Sequence, residues 1–153
     1  MYTPEQASQI RQRFWTSFGK YMAPVLSSEN EKVNWINYKT GIPNVNFRMD
    51  ASKTSAYIGI EILNKNNVEA SKIYNQFCLL KPSLEEIVSE QWLWEKMFEN
   101  ESGQRLSRIS TTLSGCNVMD ENSWPLIISF LKPRMIALDK FWNEYKMIFE
   151  MAV

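Results

Sequence analysis

The chain has 153 residues, with 17 Lys+Arg balancing 17 Asp+Glu, two cysteines and no histidine. Zero net charge supplies no long-range field toward nucleic acid or an anionic membrane, and the missing histidine excludes histidine-activated nucleophiles, histidine general bases and nearly every zinc site. Cys78 and Cys116 form no CxxC pair and cannot make a four-thiolate site, so both are expected as reduced thiols, and neither a metal nor another cofactor is expected.

In chain order, residues 1–6 show neither the basic start nor the apolar run of a signal peptide, and no window approaches the ~20 apolar residues of a membrane span. A cytoplasmic location without membrane association is expected. Thr3, Pro4 and Gln6 read as a helix start: a hydroxyl cap, a proline in the first turn and a capping-box partner. Ala7, Ile10, Phe14, Phe18, Tyr21 and Val25 then recur at helical steps. The polar tract 27–32 interrupts the period and reads as a surface loop.

From Val33 the pattern alternates, and three strands are expected at 33–38, 45–50 and 56–63, joined by turns at 40–44 and 51–54. Such short connections require antiparallel neighbours. Val45, Phe47, Met49, Ala56, Ile58, Ile60 and Ile62 fall on a buried face; Asn46, Arg48, Asp50, Tyr57, Gly59 and Glu61 fall on the other. With a loop over 51–54, Arg48 is expected opposite Tyr57.

Asn67 is the expected cap of a second helix with its stripe at Ala70, Ile73, Phe77, Leu80, Leu84 and Ile87. Pro82 lies inside that pattern, where it removes a backbone hydrogen bond; a break is expected there, with Ser83 opening a new capping box. Strands at 91–98 and 104–113 follow, with Trp92, Trp94 and Phe98 expected on one face. A last helix opens at Trp124 and buries Ile127, Leu131, Met135, Leu138, Trp142, Tyr145 and Phe149. The order is α-β-β-β-α-β-β-α, an α+β fold with a mostly antiparallel sheet of about five strands in a single domain over 1–153.

Polar groups converge on rigid elements at the outer sheet face, where Asp50 and Glu61 are weak catalytic candidates beside Arg48 and Tyr57. Paired carboxylates on strands resemble the PD-(D/E)xK nucleases, which hold a divalent metal that way. The signature is incomplete: Ile62 and Leu63 follow Glu61, with no lysine two places on. The five glycines, at 19, 41, 59, 103 and 115, make neither a Walker loop nor a dinucleotide fingerprint. Arg11, Arg13, Lys20, Arg105 and Arg108 are scattered basic residues. Aromatics are the most informative class, and Trp15, Trp35, Ile36, Tyr38 and Phe149 are candidates for an apolar patch used in self-association.

Several stretches together resemble the bacterial family described as domain of unknown function 4268: 14–22 (FWTSFGKYM), 33–41 (VNWINYKTG), 47–50 (FRMD), 91–94 (QWLW), 107–109 (SRI) and 120–125 with the helix after it. That resemblance covers nearly the whole chain and implies no activity; related domains at the C-terminus of nuclease-like proteins make a nucleic-acid or defence-linked role an alternative by association. The element order is also similar to that of type III secretion chaperones, which are dimeric. The expectation is a non-enzymatic interaction domain that self-associates, as a homodimer or with a protein partner, with Arg48, Tyr57, Trp15 and Trp35 as binding-surface candidates. The alternative is a nucleic-acid-linked protein related to the nucleases.

Overall fold

The computed structural model describes residues 2–152. Its elements are α1 (Pro4–Met22), β1 (Val45–Ala51), β2 (Ser55–Leu63), α2 (Asn67–Leu79), α3 (Lys81–Val88), β3 (Leu93–Glu99), β4 (Arg105–Ser114) and α4 (Trp124–Ala152), with a short 3-10 turn at Glu121–Ser123 before α4. The class is α+β as expected. The sheet has four strands in the order β1-β2-β4-β3, all antiparallel.

The start of α1 follows from its cap. Thr3 Oγ1 accepts from the Gln6 N–H and the Gln6 side chain accepts from the Thr3 N–H, at 3.1 and 2.9 Å, so two of the orphan donors of the first turn are satisfied reciprocally. The helix buries Ala7, Phe14, Phe18 and Met22 and ends two residues before Pro24. Tyr21, expected on the stripe, is exposed; Met22, one i+4 step beyond Phe18, takes the core position.

The strand expected at 33–38 does not form, which reduces the sheet from five strands to four. Asn34 Oδ1 accepts from the N–H groups of Ile36 and Asn37, at 3.2 and 3.0 Å. This turn gives the backbone a local alternative to a ladder. The alternation of Val33, Trp35 and the residues after them reflects a loop pinned by buried side chains.

In the β1–β2 hairpin the last pair is Ala51 with Ala56, closed by Ser52 N–H to Ser55 O at 2.8 Å. Arg48 therefore faces Gly59 and Asp50 faces Tyr57, correcting the expected Arg48–Tyr57 pair. A slip of two residues keeps every side chain on its face. The face assignment holds, with Phe47, Ala56, Ile58, Ile60 and Ile62 buried.

Asn66 rather than Asn67 caps α2, accepting from the N–H groups of Val68 and Glu69. The helical stretch breaks at Leu80, so that Pro82 sits in the first turn of α3, where its missing N–H costs nothing. Ser83 caps nothing; α3 has no side-chain cap. On β3 a bulge lies between Glu95 and Phe98, with Met97 at φ 50° and its N–H on Ser107 Oγ at 2.9 Å. The extra residue turns Phe98 to the face opposite Trp94, so the two do not share a face as expected.

The core is a single cluster in which Phe47, Ile58, Ile60, Ile62 and Ile109 of the sheet meet Phe14 and Phe18 of α1, Phe77 of α2, Leu84 of α3, and Leu131, Leu138, Phe141, Trp142 and Phe149 of α4. Aromatic rings knit these helices together: Phe77 lies 4.3 Å from Phe149 and Phe47 meets Trp142 edge-on at 5.5 Å, centroid to centroid. With the helices gathered on this face, the other side of the sheet is left to the strands' own side chains, polar ones together with Phe98 and Leu106.

Candidate functional site

The strand alternation brings Arg48, Asp50, Tyr57 and Glu61 together on the outer face. Tyr57 lies along β2 over Gly59 and donates its hydroxyl proton to Glu61 Oε2 at 2.8 Å. Gly59 makes this possible, since a Cβ there would stand 2.5 Å from the Tyr57 oxygen and 2.9 Å from Ser110 Cβ. Arg48 reaches Asp50 at 3.2 Å and Glu61 at 3.6 Å. Across the sheet, Arg108, the cross-strand partner of Glu61, donates to Glu95 Oε1 at 2.8 Å, and its guanidinium sits 4.4 Å from the Phe98 ring centroid and 5.6 Å from that of Tyr57.

These contacts determine the protonation states. Burial, then the Glu61 charge and hydrogen bond, push the Tyr57 phenol well above its ordinary value, so it is a fixed donor. Burial works to lower Arg108, but the hydrogen bond it donates to Glu95, together with the Glu95 charge and the Tyr57 phenol, outweighs burial and its value rises. Acid, base and phenol here are already spent on one another. Arg48 stands between the Asp50 and Glu61 carboxylates, and among the described residues no three acidic or thiol side chains gather as a metal site.

Beside this network a cleft of about 580 Å³ follows the free edge of β1. Asn46, Arg48 and Glu61 line it from the outer face, Phe47 and Met49 from the core face, and Trp15 of α1 with residues 36–39 forms its far wall. The fold positions that wall through hydrogen bonds that are wholly or partly buried. Trp35 Nε1 donates to Val25 O at 2.9 Å, Tyr38 to Asp139 Oδ1 at 2.6 Å, and Trp142 Nε1 to Thr40 O at 2.7 Å. Burial and then Asp139 raise the Tyr38 phenol, keeping it a donor to that carboxylate.

Of the residues singled out in the sequence, Arg48, Glu61, Trp15, Ile36 and Tyr38 meet at this cleft, while Asp50 and Tyr57 belong to the adjoining face. Trp35 is only 3% exposed and Phe149 fully buried, so neither forms part of a surface patch. The basic residues divide: Arg13 pairs with Glu121 and lies with Lys20 in a groove along α1, whereas Arg108 belongs to the sheet. Asn37, Lys39 and Asn46 line the cleft without having been singled out. Only the adjacency of the first two to Tyr38, and the place of Asn46 one step from Arg48, hinted at them.

A family model described as a domain of unknown function, DUF4268, matches residues 10–146 of the chain. No curated protein and no solved structure matches it.

Proposed function

The chain belongs to the DUF4268 family, and since that membership carries no activity with it, we propose from the geometry of the site that the protein is a non-enzymatic interaction domain that self-associates. The observation that carries this reading is the pairing of the outer-face groups. Tyr57, Glu61, Arg48, Arg108 and Glu95 satisfy one another, leaving no side chain there as a ready general base or nucleophile. An open cleft with one indole wall and a bare strand edge lies beside them, a surface suited to holding a polypeptide.

A nucleic-acid-linked role is the second reading. What favours it is the groove of about 640 Å³ along α1, where Arg13 and Lys20 stand near Trp124, a combination of cations and an aromatic face that suits a single strand. Against it, Glu121 already neutralises Arg13, and the balanced net charge supplies no steering.

Sedimentation velocity across the micromolar range tests the first reading: the sedimentation coefficient rises with concentration. A strict monomer overturns it. The same sample titrated with a labelled single-stranded oligonucleotide decides the second, since binding that weakens steeply with salt is its signature.

A further inference from the structure

The hydrogen bonds of β1 show which of its backbone groups are paired. Leu63 N–H donates to Asn44 O and Ser52 N–H to Ser55 O, both at 2.8 Å, so the even-numbered residues of β1 turn their backbone groups toward β2 and the odd-numbered ones turn theirs outward. One of the outward residues is closed off and a second in part. Val45 donates to Ile42 O at 3.3 Å and accepts from Thr40 Oγ1 at 2.8 Å, and the Ala51 N–H is held by Asp50 Oδ1 at 2.8 Å. Phe47 and Met49 have no such closure among the described residues, and both line the cleft. A strand edge with backbone groups left unpaired in this way is a template for another strand.

The side chains beside that edge decide which strand fits. Two antiparallel registers of β1 against itself pair the free groups of Phe47 and Met49. Centred on Arg48, the first sets Arg48 of one copy against Arg48 of the other. Centred on Met49, the second sets Arg48 against Asp50 of the other copy, twice by symmetry, and like charges directly opposite are destabilising where opposite charges stabilise. In that register the Ala51 N–H exchanges its own Asp50 carboxylate for Phe47 O of the other copy, which frees Asp50 to meet the incoming Arg48. Arg48 and Asp50 are both about half exposed and accessible for this exchange, at 53% and 51%. Partly exposed Trp15, Ile36 and Met49 add apolar area along the seam.

Resting on the self-association proposed above, we infer that the partner is a second copy of this chain, joined β1 to β1 about a two-fold axis at Met49 into one continuous antiparallel sheet with reciprocal Arg48–Asp50 pairs.

Two single variants and their mixture test this by sedimentation velocity, with circular dichroism and unfolding midpoints confirming that each is folded. Arg48→Asp sets two carboxylates against each other across the two-fold, and Asp50→Arg sets two guanidiniums; each weakens the dimer about tenfold or more. Mixed in equal amounts, they form a heterodimer of near wild-type affinity, because both cross-strand pairs are restored. Met49→Pro, which removes an outward N–H without touching the ladder to β2, abolishes the dimer. A wild-type dimer that none of these variants weakens overturns the interface while leaving self-association through another surface intact. Singles that weaken without recovery on mixing overturn it equally. A wild type that stays monomeric, even if a synthetic alternating Val-Glu peptide adds to the edge, overturns both this interface and the self-association beneath it.

Discussion

Tyr57 reaches Glu61, four residues along the same strand, only because position 59 carries no side chain. A glycine inside a strand is ordinarily a cost, since it packs nothing and loses more chain entropy than alanine. Here Gly59 opens the channel in which the phenol lies, between the Arg108 guanidinium and the β1 side chains. Gly59→Ala should therefore destabilise the protein, by about 1–3 kcal/mol, against the propensity gain an alanine usually brings to a strand. The new Cβ meets a ring and Ser110 Cβ, neither of which swings aside freely. Denaturant unfolding checks the size. Tyrosine fluorescence or a crystal structure of the variant checks the cause, which is Tyr57 displaced from Glu61; an alanine variant as stable as wild type contradicts it.

At the scale of elements, residues 23–44 are the segment least like what their sequence suggests. They carry no helix or strand, yet they form the far wall of the β1 cleft and are fixed to α4 through Asp139. That carboxylate is 1% exposed and forms no ion pair among the described residues; it accepts from the Ser28 N–H at 2.8 Å, the Tyr38 hydroxyl at 2.6 Å and Asn143 Nδ2 at 3.3 Å. A buried charge held only by hydrogen bonds is sensitive to the loss of one donor. Tyr38→Phe should cost about 1–3 kcal/mol and, more tellingly, raise amide exchange and protease cleavage within 24–44 while leaving β2 and β4 protected. Protection unchanged throughout this segment would mean that Trp35 and Trp142 fix it without Tyr38. The helices and the two central strands were legible in the sequence because their burial repeats at one period: Phe14 with Phe18, and Ile127, Leu131 and Met135, at four, Ile58, Ile60 and Ile62 at two. Residues 33–38 imitate the second period for a different reason, since Trp35 is buried to serve the loop and Asn34 takes the backbone donors a strand would need. The β3 bulge escaped for a related reason: one inserted residue reverses the face of Phe98 while leaving composition unchanged. For the site, alternation was enough to place Arg48, Asp50, Tyr57 and Glu61 on one face. It gave no sign of the cleft, whose wall comes from α1 and from the irregular segment that precedes β1.

For the molecule as a whole, equal numbers of acidic and basic groups leave no net repulsion at neutral pH, where the electrostatic contribution to stability comes from individual pairs. The pair with the best geometry is Glu90 with Arg134. Both carboxylate oxygens accept from the guanidinium, at 2.7 and 2.9 Å, and Glu90 Oε2 also accepts from Trp92 Nε1 at 2.7 Å. It joins the connection between α3 and β3 to α4, while Arg134 also donates to Phe130 O and covers the Phe130 ring at 4.2 Å. Burial works to raise the Glu90 carboxyl, but the Arg134 and Trp92 hydrogen bonds together with the Arg134 charge outweigh it, and the folded value lies below the ordinary one. A carboxylate with a depressed folded value contributes stability that is complete above its unfolded value and is lost as pH falls through the window down to the folded one. Unfolding free energy followed from neutral pH into acid should decline across that window. Glu90→Gln keeps the shape and an acceptor for Trp92 but removes the charge facing Arg134, so it should cost about 1–3 kcal/mol at neutral pH, and the two proteins should converge in acid once Glu90 is protonated in the wild type. Parallel curves that never converge would show that the loss comes from packing around Trp92 and Phe130 and not from the ionised pair.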